Sequence, residues 1–151
     1  MKSQSNDDKI KFKPMITLFK AHKSFLEFIK NEIKDYNFDL NEFAVLEVIY
    51  HKKKISVSNI KNKILLANSS LSYILDKLEK RSLIKRENDI NDKRVYYISL
   101  TNEGNKLCNK IFPKHYNNLK EVINVLTNEE KIILSNLLKK LGKHVEGRND
   151  L

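Results

Sequence analysis

Two groups of polar and basic side chains have the chemistry needed to recognise a polyanion, and both lie within residues 68–94. Hydroxyl groups and cations of this kind bind phosphate oxygens and the edges of nucleic-acid bases. The first group lies off the apolar face of a predicted helix and consists of Ser69, Ser70, Ser72, Tyr73 and Lys77. The second group lies in the loop of a predicted hairpin and consists of Asp92, Lys93 and Arg94. For any single serine, helix capping and solvation are an equally good explanation.

The net charge of +10 is concentrated around these two groups. Residues 51–94 contain twelve lysines and arginines against five aspartates and glutamates, an excess of +7 in under a third of the chain. Such a surface predicts a polyanionic partner, and charge alone leaves DNA, RNA, an anionic membrane or a merely lysine-rich composition open. Four more basic residues of this region are predicted to contact phosphates: Lys61, Lys63, Lys85 and Arg86.

The composition argues against an enzyme, a metalloprotein and a membrane protein. The four histidines lie in different predicted helices, the three glycines form no phosphate-binding loop, and no nucleophile–base pair is recognisable. No apolar run reaches the roughly 18 residues of a membrane-spanning helix, and the polar N-terminus lacks the apolar core of a signal peptide. We therefore expect a cytoplasmic protein without catalytic activity, metal or cofactor.

Hydrophobic periodicity and capping residues predict the element order α, α, short β, α, α, β, β, α, α, a mainly α fold with a small β-hairpin. Residues 1–9 are expected to be disordered. The first helix is predicted over residues 10–36, with Pro14 in its first turn. Asp39 or Asn41 is predicted to cap the second helix, and Glu42 lies three residues after Asp39, as in a capping box. Ser56 predicts the cap of the third helix.

The fourth helix, predicted to start at Asn68 or Ser69, leads into the hairpin. Its buried face is predicted to consist of Leu71, Ile74, Leu75 and Leu78. Strand-like segments 83–86 and 95–100 flank the polar residues 87–94. The next helix, over 102–126, contains Pro113 and is expected to kink or break near Phe112. A second capping box at 127–130 opens the last helix, and the apolar first and last helices are predicted to form a dimerisation bundle.

Three segments, which follow one another along the chain as they do in the family, resemble the MarR family of bacterial transcriptional regulators. The resemblance extends over about residues 10–145. Residues 89–104, DINDKRVYYISLTNEG, are similar to the wing of that family, an Asp-rich tip with Asp-Arg/Lys-Arg followed by a strand and Leu-Thr-x-x-Gly. Residues 75–81 and 40–46 resemble the end of its recognition helix and the start of its second helix. Two positions depart from the pattern: Tyr73 replaces a residue that is often basic, and Ser82 stands where glycine is usual and would have to adopt a left-handed conformation.

The resemblance implies a winged helix-turn-helix core flanked by N- and C-terminal dimerisation helices. The DNA reader would span 37–101, the dimerisation helices 10–36 and 102–146, and the whole would form a single structural domain. The resemblance further implies a homodimer that binds double-stranded DNA and regulates transcription, most often as a repressor. Each recognition helix would enter the major groove of a pseudo-palindromic operator, and each wing the minor groove. Arg94 matches the family residue whose guanidinium enters the minor groove, and Asp92 matches the carboxylate that orients it, although an ordinary surface ion pair is the alternative.

Other functions are compatible with the same sequence. A non-specific architectural DNA-binding protein could use this basic surface, and an adaptor could keep the fold without binding DNA, although the charge argues against the adaptor. A regulator of this family could also respond to a small aromatic effector. Candidate lining residues are Phe19, His22 and Phe43, for which plain core packing is the favoured explanation. Cys108, the single cysteine, cannot form an internal disulfide and could sense oxidants, but a small buried hydrophobe is its favoured role.

Overall fold

The computed structural model describes residues 4–64, 71–90, 92 and 94–149. Its elements in chain order are helix α1 (Gln4–Ile33), a 3-10 turn (Lys34–Tyr36), α2 (Leu40–Lys52), strand β1 (Lys54–Ser56), α3 (Val57–Lys63), α4 (Leu71–Lys80), β2 (Ile84–Asn88), β3 (Tyr96–Leu100), α5 (Asn102–Ile123) and α6 (Asn128–Asn149). The predicted element order and fold class, mainly α with a small β-wing, are confirmed; the sequence does not predict the 3-10 turn. The chain divides into two compact units, Met1–Asn109 and Lys110–Leu151.

A three-stranded antiparallel sheet joins the hairpin of the first unit to the strand that precedes α3. Strand β3 lies in the centre, and its Ile98 is paired with Ile55 of β1 and with Arg86 of β2. Ile55 and Ile98 are both buried. The very short strand predicted around Ile55 is therefore an edge strand of the hairpin sheet, which fixes the start of α3 relative to the wing.

Helix α4 packs its apolar face into the core of the first unit. The four residues predicted to form that face are all buried: Leu71, Ile74, Leu75 and Leu78. Burial stabilises the folded state by about 1.5–3 kcal/mol for each side chain of this size. Because the four positions follow the spacing of one helix face, their burial directs Ser72 and Tyr73 toward solvent, where both are exposed.

The predicted helix caps are present. Asp39 Oδ1 accepts from the main-chain N–H of Glu42 at 2.8 Å, and Glu42 Oε2 accepts from the N–H of Asp39 at 2.9 Å, a complete capping box at α2. Ser56 caps α3. At α6, Glu130 Oε2 accepts from the N–H of Thr127 at 2.8 Å and Thr127 Oγ1 from that of Glu130 at 3.3 Å. These side chains satisfy N–H groups that a helix start leaves without partners.

Helix α1 begins earlier than the sequence predicts. It starts at Gln4, so residues 4–9, expected to be disordered, belong to the helix and Pro14 lies inside it instead of in its first turn. No glycine or proline precedes Pro14, so nothing local stops the helix, and the proline removes only one main-chain hydrogen bond. Several apolar side chains of α1 are exposed, namely Phe12, Met15, Ile16, Phe19 and Phe25.

Helix α5 continues through Pro113 to Ile123, so it does not break near Phe112, while the kink expected there stays a prediction. The rings of Phe112 and Tyr116 are nearly parallel, 16° apart, with centroids separated by 5.9 Å. The two rings lie about one turn apart, so their stacking stabilises the part of α5 in which Pro113 cannot donate a main-chain hydrogen bond. In the second unit, α6 leaves much of its apolar surface exposed, including Ile133, Leu137, Leu141 and Val145.

Thr101 ties the start of α5 to the turn between α4 and β2. Its hydroxyl donates to the Ser82 carbonyl at 2.6 Å and accepts from the Gly104 N–H at 3.0 Å, and its own N–H donates to the Leu83 carbonyl at 3.0 Å. Ser82 has a φ of 56°, which confirms the predicted left-handed conformation. The threonine and glycine of the Leu-Thr-x-x-Gly segment therefore connect the start of α5 to the turn that precedes β2.

Candidate nucleic-acid interface

The loop of the hairpin is closed by hydrogen bonds that its aspartates make. The N–H of Asp89 donates to the Val95 carbonyl at 2.9 Å, and the N–H of Val95 donates to the Asp92 carbonyl at 2.9 Å. Asp89 Oδ1 accepts from the N–H of Asp92 at 3.0 Å. Short polar side chains that accept from the main chain two or three residues away stabilise tight loops. These bonds connect Asp89, Asp92 and Val95, the last two of which flank Arg94 among the described residues of the loop.

Asp92 holds Arg94 through both carboxylate oxygens. Arg94 Nε donates to Oδ1 at 3.1 Å and Nη2 to Oδ2 at 3.2 Å, while the Arg94 N–H also donates to Oδ1 at 3.0 Å. These bonds lower the pKa of Asp92. The Arg94 side chain is nevertheless 91% exposed. The pairing predicted for these two residues is confirmed: the carboxylate restricts the guanidinium without covering it.

The exposed side of α4 presents hydroxyl groups, and its predicted cation is engaged elsewhere. Ser72 is exposed, and Tyr73 is 69% exposed. Lys77 Nζ lies 2.9 Å from Glu42 Oε1 and 3.9 Å from Asp39 Oδ2. Hydrogen bonding to Glu42 raises the pKa of Lys77. Lys77, predicted from the sequence to contact DNA, is therefore paired in this structure with the carboxylates at the start of α2.

Two of the cations predicted to contact phosphates have carboxylate partners, and two are exposed on α3. Arg86 is paired with Asp76 and Glu79 of α4, with 3.2 Å between its Nε and Glu79 Oε2. Lys85 Nζ lies 2.7 Å from Glu87, whose other oxygen is 2.9 Å from Lys54 Nζ. The exposed pair consists of Lys61 and Lys63. Ser69, Ser70 and Lys93 lie outside the described residues.

A cleft of about 410 Å³ separates α4 from the wing. Ser72 and Leu75 line it from α4, and Arg94 and Tyr96 from the hairpin. Its remaining lining residues are Ser56, Val57, Ser58, Arg86 and Val95. The cleft thus brings together three residues that the sequence singled out separately, Ser72, Arg86 and Arg94, and adds hydroxyl groups from the start of α3.

The candidate effector residues lie in unlike surroundings. Phe43 is buried in the core of the first unit, whereas Phe19 and His22 are exposed on α1. Cys108 is buried as well, and desolvation raises the pKa of its thiol to about 12. Within the described residues, no group of three or more His, Cys, Asp or Glu side chains could hold a metal ion. None of the described helices is long and apolar enough to cross a lipid bilayer.

Two residues that position α4 are absent from the sequence-based prediction of the site. Glu42 was recognised only as a capping residue, yet its side chain is fully buried beside Lys77. Arg81 at the end of α4 donates to main-chain carbonyls of the segment between α1 and α2. The one available signal was an acidic residue within the apolar face of α2, since a buried carboxylate needs a cationic partner.

Comparison with known proteins defines the class. Residues 38–96 match the profile of the MarR family. The chain is 38% identical over 130 residues to the HTH-type transcriptional regulator MhqR of Bacillus subtilis, covering 86% of this chain and 90% of MhqR. Its fold is similar to that of NadR in complex with 4-hydroxyphenylacetate, with a TM-score of 0.72, 25% identity and coverage of 85% and 91%. AbsC, a MarR family transcriptional regulator from Streptomyces coelicolor, has a TM-score of 0.80 at 20% identity, with coverage of 89% and 93%.

The chain belongs to the MarR family. Members of this family are DNA-binding regulators of transcription and not enzymes, so the predictions of family, fold and absence of catalytic activity are confirmed.

Proposed function

We propose that the protein is a homodimeric, sequence-specific transcriptional regulator of the cytoplasm that reads a pseudo-palindromic operator. Helix α4 enters the major groove, and the wing enters the adjacent minor groove. The observation that carries this proposal is the cleft between α4 and the wing, with exposed hydroxyl groups on one side and the exposed Arg94 on the other. Repression is the sign of regulation that the family resemblance favours.

The cleft suits the DNA backbone that separates two grooves. A protein that reaches from a major groove into the next minor groove must pass over one sugar–phosphate strand. The exposed hydroxyl groups of Ser58 and Ser72 can donate to phosphate oxygens there, which positions the protein without reading sequence. Exposed Tyr73, the neighbour of Ser72 on α4, can meet base edges.

Arg94 suits a narrow, A·T-rich minor groove, where negative potential is concentrated. Because Asp92 already restricts its guanidinium, insertion orders fewer torsion angles than it would for a free arginine. Lys61 and Lys63 are available for flanking phosphates, while Lys85 and Arg86 would have to exchange carboxylate partners for phosphates. Ser69, Ser70 and Lys93 remain contacts proposed from the sequence alone.

Dimerisation is supported by the apolar surfaces that α1 and α6 leave exposed. Large apolar side chains exposed on a helix are a feature of interaction sites. The helices concerned are those predicted to dimerise, and a two-fold dimer matches the symmetry of a palindrome. Sedimentation equilibrium is expected to give a mass near twice 17.8 kDa. Paired Ile133→Lys and Leu137→Lys substitutions should shift it toward the monomer.

The decisive experiment is selection of genomic fragments by the purified protein, followed by affinity measurements on a selected fragment and on random DNA of equal length. A specific regulator is expected to prefer the selected fragment by about 10³-fold or more, with the logarithm of affinity falling steeply with the logarithm of salt concentration. A ratio near one would instead indicate an architectural DNA-coating protein, and no binding to either DNA would indicate an adaptor.

A small aromatic acid is the effector class that we propose. NadR, which is 25% identical, was crystallised with 4-hydroxyphenylacetate. In this chain, exposed Phe19 and His22 offer a ring and a donor on α1. Phenolic acids should raise the melting temperature in a thermal-shift titration. They should also weaken operator binding in a separate affinity measurement. A response that survives Phe19→Ala with His22→Ala would place the effector elsewhere.

A further inference from the structure

A set of directional contacts ties the C-terminal half of α4 to the segment between α1 and α2. We call this set the α4 clamp; it comprises Glu42 of α2, Lys77 of α4, Arg81 directly after α4, the ring of Phe38, and the main-chain carbonyls of Tyr36 and Asn37. Except for Lys77, its side chains are not among the predicted DNA contacts. The clamp therefore calls for an explanation other than surface charge.

Glu42 is the buried centre of the clamp. Its side chain is 0% exposed, and Oε2 accepts from the N–H of Asp39. Its other oxygen, Oε1, lies 2.9 Å from Lys77 Nζ and 4.0 Å from Arg81 Nη1. A carboxylate removed from water destabilises the fold unless cations and donors surround it. The position of α4, which carries Lys77 and is directly followed by Arg81, is therefore coupled to the start of α2.

Arg81 fixes α4 to the main chain ahead of α2. Nη1 donates to the Asn37 carbonyl at 2.9 Å, and Nη2 donates to the Tyr36 carbonyl at 3.0 Å. The guanidinium also lies over the ring of Phe38, 4.2 Å from its centroid. A planar guanidinium can make both bonds and the ring contact at once, whereas a lysine ammonium cannot reproduce this geometry.

Hydrophobic packing alone leaves a short helix some freedom to slide and rotate, because it is non-directional. Within the described residues, helix α4 spans ten residues and buries one apolar face. The clamp adds contacts with fixed directions at the end opposite to Ser72 and Tyr73. It thus restricts the rotation that would move those two side chains away from base edges.

We propose that Arg81 and Glu42 are positioning residues for operator recognition: they hold α4 in the orientation that reads bases, although neither contributes to the reading surface. This inference rests on the proposed function. It predicts that loosening the clamp lowers the preference for the operator over random DNA, since binding to random DNA depends on phosphates and not on the orientation of α4.

Arg81→Lys tests the inference without changing the net charge. We expect about a tenfold loss of operator affinity, from the loss of charge-assisted hydrogen bonds, with unchanged affinity for random DNA and an unchanged salt slope. Hydrogen exchange without DNA should be faster at the amides of α4 than in the wild type. The matched control is Lys80→Arg, the converse change one residue away on an exposed side chain, which should alter neither measurement.

Glu42→Gln provides the second variant, because the amide keeps a hydrogen-bond acceptor for the Asp39 N–H but loses the charge that holds Lys77. Released Lys77 should strengthen binding to random DNA and steepen the salt slope by about one unit, while the preference for the operator falls.

Three results separate the possibilities. Faster exchange in α4 together with selective loss of operator affinity supports the inference. Wild-type operator affinity and wild-type exchange in Arg81→Lys overturn it and leave the proposed function intact, and a parallel loss on operator and random DNA also overturns it. If the wild-type protein itself prefers no DNA, the proposed function fails, and unchanged exchange in α4 would then reject the clamp independently.

Discussion

Gly104, in the first turn of α5, lies against the main-chain carbonyl of Leu83. A Cβ atom on Gly104 would be 2.0 Å from that oxygen, which is far inside van der Waals contact and involves main-chain atoms that cannot turn aside. The same oxygen accepts from the N–H of Thr101. The close approach of α5 to the turn before β2 therefore depends on the absence of a side chain at position 104.

Gly104→Ala should lower the free energy of unfolding by about 3 kcal/mol, because the start of α5 must move away from the hairpin. Urea denaturation followed by circular dichroism measures the change. Gly142→Ala is the matched control: nothing lies within 4 Å of its added Cβ, and alanine should stabilise α6 by roughly 0.5–1 kcal/mol. Equal effects of the two substitutions would contradict the close approach.

Ser82→Gly should stabilise the protein by roughly 0.5–1 kcal/mol, because a left-handed residue without a Cβ carries no steric penalty. The φ of Ser82 is 56°, and Thr101 donates to its main-chain carbonyl, which the glycine keeps. The same change at Ser72, inside helix α4, should destabilise by a similar amount. Thermal melting of both variants shows whether each substitution raises or lowers the melting temperature. A lower melting temperature for Ser82→Gly would contradict a left-handed conformation at this position.

Arg94→Ala should weaken operator binding by about 1–3 kcal/mol, because the guanidinium that the wing presents is removed. Asp92→Asn should have a smaller effect, since the arginine remains but is less restricted. Lys54→Ala removes the same charge from a neighbouring strand of the same sheet, where the ammonium is already paired with Glu87, and serves as control. Fluorescence anisotropy on the selected operator measures all three; wild-type affinity in Arg94→Ala would exclude a role for the wing.

The ion pairs of Glu87 should make part of the stability pH-dependent. Hydrogen bonds from Lys85 and Lys54 lower the pKa of Glu87 from 4.5 to about 2. Because the pKa is lower in the folded state, the stabilisation is fully present above pH 4.5 and is lost as the pH falls toward 2. The difference in urea midpoint between the wild type and Glu87→Gln should therefore shrink over that range. A constant difference would show that the carboxylate is not stabilised by the two lysines.

Cys108 should be inert in the native protein. Burial raises the pKa of its thiol to about 12, so the reactive thiolate is almost absent near neutral pH. Iodoacetamide is expected to label the urea-denatured chain and not the folded one, and peroxide should leave operator affinity unchanged. Rapid labelling of the folded protein, accompanied by a peroxide-dependent loss of binding, would restore the oxidant-sensor hypothesis.

Local patterns predict the elements of this fold well, because they depend on residues close in sequence. The buried face of α4 follows from helical spacing, and the capping boxes at Asp39 and Thr127 follow from residues three apart. The start of α1 was misplaced for a local reason as well: polarity suggested disorder, but the segment contains no residue that ends a helix.

The roles of individual cations could not be predicted in the same way. Lys77 and Glu42 are separated by 34 intervening residues, and Arg86 meets Asp76 and Glu79 only because β2 returns beside α4. Sequence spacing shows that a lysine is present and not which carboxylate the fold brings to it. The pair Asp92 and Arg94 was predictable because two residues separated by one can meet within a single turn.

The acceptors that Arg81 uses in the α4 clamp are main-chain carbonyls, and this has a consequence for sequence variation among relatives. Position 36 can change its side chain without affecting the clamp, while position 37, with a φ of 54°, should be restricted to asparagine or glycine. Positions 42 and 77 should vary as a pair, since one carries the charge that the other needs. An alignment that looked only for conserved side chains near Arg81 would miss these two acceptors, because every amino acid supplies the same main-chain carbonyl.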